Sequence, residues 1–276
     1  MQNSNPVVRA PSQQMLKATA TLQDGLGYLL KARKNISDSM MQYESSHDAL
    51  NLTYVAIRHI EGILNLARSD VALVHPSMSL ARAAMEVSVR ALWLVDDNKP
   101  FVREQRWIAL VKEEIRSRRR ADSYLAGKGA TVEPQFSGPA NLLEDYIKKV
   151  EPLIPPDYSP VSRIPTAADM FEALKIKSYA IYVMFSQVVH GTLWATSEFR
   201  GGVGNARKFR DRVDENSWYI PLAFAGFTIL EPLSRVLFRL GVQKGQVFPR
   251  GFAERWGRDL ATVHRDFADD GDTSVR

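Results

Sequence analysis

The 276-residue sequence predicts an all-α fold, a multi-helix bundle with long antiparallel helices. Three observations predict it. Apolar residues recur at three- and four-residue steps along most of the chain. No segment alternates with period two over the length of a strand. The stretch from Ser77 to Val95, SMSLARAAMEVSVRALWLV, is apolar almost all the way round, the mark of a helix enclosed by other helices. In it Leu80, Ala84, Val87, Ala91 and Leu94 form one face, while Met85, Val89, Leu92 and Trp93 cover others. Its only charges, Arg82, Glu86 and Arg90, are four residues apart and stack in a single stripe. Such a stripe is either the helix's one wet edge or a buried polar ladder that needs partners.

The other elements follow in chain order. Residues 1–12 read as a flexible tail, 13–268 as one helical domain and 269–276 as an acidic tail. An amphipathic helix runs from Gln13 to about Lys34, weakened by Gly25 and Gly27. A second long helix spans Asp48 to Arg68. Pro76 precedes the central helix, with Ser77 as its N-cap. Pro100 suits the first turn of a helix running to Leu125 that is polar on most faces. Asn141 to Val150 is short. Thr166-Ala-Ala-Asp169 opens a further long helix with Phe171, Leu174, Ile181, Phe185 and Val188 turned inward. Tyr219 to Leu240 reads as a buried helix ended by Gly241, and Gly251 to Phe267 as an amphipathic one.

The chain is long enough for a real core, and an apolar share of 45% with 24% charged residues places it among ordinary globular proteins. The absence of cysteine excludes disulfides, thiolate metal sites and cysteine nucleophiles. His47, His59, His75, His190 and His264 are scattered without metal-ligand spacing, so neither a metal nor a cofactor is expected. The N-terminus lacks a signal pattern, and the greasiest segment, Tyr219 to Leu230, is interrupted by Glu231 and Pro232. A cytoplasmic protein without membrane insertion is the expectation. The net charge of +5 permits RNA as a partner without requiring it.

A second polar stripe accompanies the first. Tyr182, Ser186 and His190 repeat every four residues in YAIYVMFSQVVHG, with Tyr179 one turn earlier. Facing Arg82, Glu86 and Arg90, they would form a pocket holding a histidine, two arginines, a carboxylate and hydroxyls. That set suits phosphodiester cleavage, with His190 as proton shuttle, Arg82 and Arg90 on the phosphate and Glu86 orienting an arginine. Equally, His190-Gly191 could be a helix C-terminus and the stripe a core network that fixes helix register. Two basic tracts, Arg116, Arg118, Arg119 and Arg120, then Arg207, Lys208 and Arg210, could neutralise nucleic-acid phosphates or be solvated helix ends. Ser186 sits on no G-x-S-x-G elbow.

LARAAMEVSVRALWLVDD together with the later YxxYxxxSxxVHG resembles an uncharacterised bacterial helical family, a domain-of-unknown-function group marked by an R-x3-E helix and a tyrosine-serine-histidine-glycine helix. The resemblance covers roughly Asp48 to Thr192. That group is similar to HEPN (higher eukaryotes and prokaryotes nucleotide-binding) domains, helical bundles that serve as metal-independent endoribonucleases or as inert partner-binding modules. It implies Arg82, Glu86, Tyr182, Ser186 and His190 as marked positions. The expectation that follows is a dimeric helical protein of a bacterial stress or phage-defence system that acts on or binds RNA; the alternative is a non-catalytic interaction module in which the same residues form a core network. HEPN nucleases carry arginine, four to six residues, then histidine; no arginine precedes His190 so. Arg68 with His75 and Arg258 with His264 have that spacing, the latter on a terminal helix suited to a dimer face.

Overall fold

The computed structural model describes residues 9–128, 136–192 and 215–265. Among them there is no strand, and the fold is an all-α bundle. Its helices are α1 (Gln13–Ala32), α2 (Glu44–Ser69), α3 (Val74–Val95), α4 (Pro100–Gly127), α5 (Ser137–Val150), α6 (Ala167–Ala173), α7 (Tyr179–Val189), α8 (Tyr219–Ala223), α9 (Leu230–Arg239) and α10 (Phe252–Arg265). A π-helical turn, Phe224–Ile229, joins α8 to α9.

Helix α3 is the hub. It packs along α2, to which a tight connection joins it, and touches α4, α6, α7, α8, α9 and the π turn. No residue from Ser77 to Val95 is exposed, as its all-round apolar character requires. The helix starts earlier than the sequence suggested. Val74 begins it, and the hydroxyl of Ser77 donates back to the Val74 carbonyl at 2.6 Å instead of capping. Pro76 is tolerated because the first-turn N–H groups of a helix have no internal partner. At its other end the Trp93 carbonyl accepts from Arg106 Nη1 at 2.6 Å, while Asp96, just past it, pairs with Arg239 at 2.7 Å.

The long helix expected from Thr166 onward is two helices. Thr166 and Asp169 form a capping box at the start of α6, as the spacing implied. Seven residues later the chain turns through Lys175 (φ 57°): Ile176 N–H donates to the Phe171 carbonyl at 2.9 Å and Lys175 N–H to that of Glu172 at 3.0 Å. This 6→1 and 5→2 pairing is a Schellman motif, with lysine where glycine is usual. The same motif with glycine ends α9, where Gly241 has φ 93° and Val242 N–H reaches the Leu237 carbonyl at 3.0 Å.

The terminal helices close the bundle by packing on each other. Thr21 Oγ1 donates to Asp259 Oδ2 at 2.7 Å, Lys17 pairs with Asp259 at 2.8 Å, and Arg255 pairs with Asp24 at 3.0 Å. Gly25 permits the approach: a Cβ there would sit 2.6 Å from the Phe252 ring. Phe252, Trp256, Leu260 and Val263 are therefore buried within the chain. The buried helix expected over Tyr219–Leu240 begins a few residues earlier. One helical run of 25 residues, Glu215–Arg239, is long and apolar enough to cross a membrane, but 67% of its most apolar window is buried against the bundle.

Candidate functional site

The two polar stripes meet. Arg82 Nε donates to Ser186 Oγ at 2.8 Å, and Arg82 Nη2 donates to Tyr182 Oη at 3.2 Å. The Tyr182 hydroxyl donates to Glu86 Oε2 at 3.2 Å, and the Ser186 hydroxyl donates to the Tyr182 carbonyl at 2.9 Å. Glu86 is shared: Arg82 Nη2 lies 3.4 Å from Oε2 and Arg90 Nη2 lies 3.6 Å from Oε1. The Arg82 guanidinium also lies 5.2 Å from the centroid of the Tyr182 ring, which stacks in turn on Tyr179 at 5.9 Å. Five of the six predicted residues thus form one half-buried ladder between α3 and α7.

Its chemistry is that of charge and hydrogen bonding. Burial first, and then the charge of Glu86, push the Tyr182 phenol above its ordinary pKa, with Arg82 opposing. The phenol stays protonated at neutral pH and is a donor, not a base. Ser186 has its hydroxyl engaged both as donor and as acceptor, and among the described residues no imidazole or carboxylate is hydrogen-bonded to it to take its proton.

His190 stands apart. It is the C-cap of α7, its backbone N–H donating to the Ser186 carbonyl, and Gly191 follows at φ 59°. Gly191 N–H reaches the Val188 carbonyl and Thr192 N–H that of Gln187, both at 3.2 Å, which is again the Schellman pattern. The imidazole is exposed, and among the described residues no hydrogen bond or ion pair joins it to the ladder. The helix-end reading of His190-Gly191 is therefore the arrangement seen. Arg258 is exposed on α10, which packs on α1, α8 and the turn Glu215–Trp218; the side chain of His264 lies outside the described residues.

The first basic tract lies on α4, and each of its arginines has a carboxylate partner, Glu113 serving two of them. Arg116 pairs with Glu113 (3.2 Å), Arg118 with Glu114 (2.6 Å), Arg119 with Glu144 of α5 (2.6 Å) and Arg120 with Glu113 (2.8 Å). Arg207, Lys208 and Arg210 of the second tract lie outside the described residues. Among the described residues no three His, Asp or Glu side chains converge as metal ligands would.

Sequence reasoning did not find one concavity. It is an open cleft of about 710 Å³ between α2, α3, α4, α5 and the segment Ser162–Ile164. Asp48, Leu52 and Val55 come from one face of α2, Arg90 and Leu94 from α3, and Leu110 from α4. Asp48 is held by Trp107 Nε1–H at 2.7 Å. Arg90 also borders a small cavity of about 40 Å³ beside Glu86 and Phe171, so it joins the ladder to the cleft. The signal for α2 lay in its i, i+4, i+7 spacing; the other walls converge only in the fold.

An all-helical bundle locked through a shared Arg-Glu-Tyr-Ser ladder is the class these elements define. The model of a family of unknown function, DUF5677, matches residues 49–206, more than half the chain, and the protein belongs to that family. The matched region holds both stripes and His190, and leaves out Arg258 and His264. No curated protein and no solved structure matches the chain.

Proposed function

We propose that the protein is a cytoplasmic, HEPN-like helical binding module in which the ladder is structural, not the centre of a nuclease. The observation that carries this reading is the engagement of Arg82: its Nε serves Ser186 and its Nη2 serves Tyr182 and Glu86, all on its own bundle. A guanidinium so committed keys α7 to α3 in register. The partner surface is not the pair of terminal helices, whose apolar faces cover each other. It lies along α7, where Tyr179, Val183 and Val189 are exposed. That apolar edge supports self-association, and the protein is a homodimer on this reading.

A second reading, metal-independent RNA cleavage in a bacterial stress or defence system, keeps one observation in its favour. His190 is exposed one turn beyond Ser186, where an imidazole could reach a phosphodiester. A labelled mixed RNA pool incubated in EDTA with wild type and with His190→Ala decides between them. Intact RNA in both, with unchanged melting of the variant, is expected. Cleavage by wild type that the variant loses would make the protein a nuclease. Light scattering after size exclusion tests the dimer, and a monomer at high concentration would overturn it.

A further inference from the structure

We propose that the cleft between α2, α3 and α4 is a ligand site for a small amphipathic monoanion: an apolar body against the walls and an anionic end on Arg90. This goes beyond the binding-module reading, because the cleft would hold such a ligand whether or not the chain cleaves RNA.

Size comes first. About 710 Å³ lies within the range of clefts that enclose small organic ligands. The walls come next: Leu52, Val55, Leu94, Leu110, Leu143 and Ile164 give an apolar lining contributed by five separate segments. Val55 is 45% exposed although it faces this lining, so it stands at the mouth as apolar surface open to a ligand.

Charge then selects the sign. Four carboxylates stand on or beside the cleft. Glu114 is matched by Arg118, whereas Glu113 faces both Arg116 and Arg120. Glu86 likewise serves both Arg82 and Arg90. Asp48 is held by neutral donors, the indole N–H of Trp107 and the amide of Asn51. Arg163, also on the wall, is matched by Asp169. Two carboxylates shared by four guanidiniums, set against one Asp48, leave one cationic charge in excess. Arg90 is where it is available. Its ion pair is the longest of those named here, 3.6 Å, its side chain is 42% exposed, and it borders the cleft. An anion there gains a charge-assisted bond that Glu86, already bonded to Tyr182 and paired with Arg82, supplies only in part.

The probe is 1-anilinonaphthalene-8-sulfonate, an apolar body with one sulfonate, titrated by fluorescence into the full chain. N-phenyl-1-naphthylamine, a similar body without the charge, is the control. Wild type should bind one sulfonate probe per chain and prefer it to the neutral one. Arg90→Met should weaken the sulfonate about tenfold and leave the neutral probe unchanged, while Arg90→Lys keeps most of the preference. Val55→Trp, at an exposed position that tolerates the change in folding, should fill the mouth and weaken both probes. Decanoate or 1-naphthoate should displace the sulfonate, the more potent of the two telling an acyl from an aromatic body. The proposal is overturned if the two probes bind wild type equally, if Arg90→Met leaves the sulfonate unaffected, if Val55→Trp changes neither, or if neither carboxylate displaces it. Thermal melting of each variant confirms that a folded protein is being compared.

Discussion

Replacing Arg82 with methionine tests the structural role of the ladder directly, because the apolar stem is kept and only the guanidinium is lost. The bond from Nε to Ser186, at 2.8 Å, is the strongest of its contacts. Hydrogen bonds to charged groups contribute about 1.5–3 kcal/mol each. The contact to Tyr182 is longer, 3.2 Å, and the pair with Glu86 is 3.4 Å with side chains 23% and 34% exposed, so solvent screening leaves the ion pair roughly 0.5 kcal/mol. The loss should total about 3 kcal/mol. For a domain of this size that lowers the melting temperature by roughly 6–12 °C at about 2–4 °C per kcal/mol. Ser186→Ala alone should cost about 1 kcal/mol, since the remaining partners still hold Arg82. Urea denaturation of wild type, both single variants and the double variant at neutral pH gives the coupling energy. Because Ser186→Ala should cost little more once Arg82 is gone, a coupling of about 1 kcal/mol is expected, above the roughly 0.5 kcal/mol scatter of independent sites. Additive costs would show that the two residues do not depend on each other, and the lock between α3 and α7 would have to lie elsewhere.

Other consequences are as definite. Burial alone would raise the Asp259 carboxyl, but the hydrogen bonds from Lys17 and Thr21, and the charges of Lys17 and Arg255, hold it below its ordinary value. A depressed folded-state pKa stabilises above the unfolded value of about 3.9 and is lost as pH falls through the folded value, so Asp259→Asn should flatten the acid limb of a stability–pH curve; an unchanged limb counts against the contact. The raised Tyr182 phenol has the opposite sign: its stabilisation is complete below about pH 10 and fades as pH rises toward the folded value, so wild type and Tyr182→Phe should converge in alkaline melts. A Cβ on Gly226 would lie 2.1 Å from Trp256 Nε1, so Gly226→Ala should cost about 3 kcal/mol in urea denaturation. Trp256→Phe in the same chain should recover part of that loss, and strictly additive costs would refute the clash.

What could be read from the sequence, and what could not, divides along physical lines. The enclosure of α3 was legible because a helix without a polar face has nowhere to go but inside, and the α3–α7 ladder was foreshadowed because four-residue spacing puts Arg82 with Glu86 and Tyr182 with Ser186 on single faces. The break after α6 was hidden because Lys175 occupies the left-handed position that Gly191 and Gly241 announce elsewhere. The arginine tract on α4 has the density of a phosphate surface, yet Glu113 and Glu114 stand within helical reach in the sequence itself; Glu144, from α5, is placed beside Arg119 only by the fold. The polar reading of α4 missed that Arg103, Glu104 and Gln105 are buried, with Glu104 accepting from the Ser45 N–H at the start of α2. By tying α4 to the first turn of α2, this buried carboxylate helps to fix two of the cleft's walls. Arg90 is then the residue at which both kinds of information meet. Its place in the stripe follows from spacing alone, whereas its bordering of the cleft follows from the convergence of α2, α4 and α5. One guanidinium shares its carboxylate with the lock and lines the cleft, so the same residue that completes the structural ladder is the one placed to receive an anion.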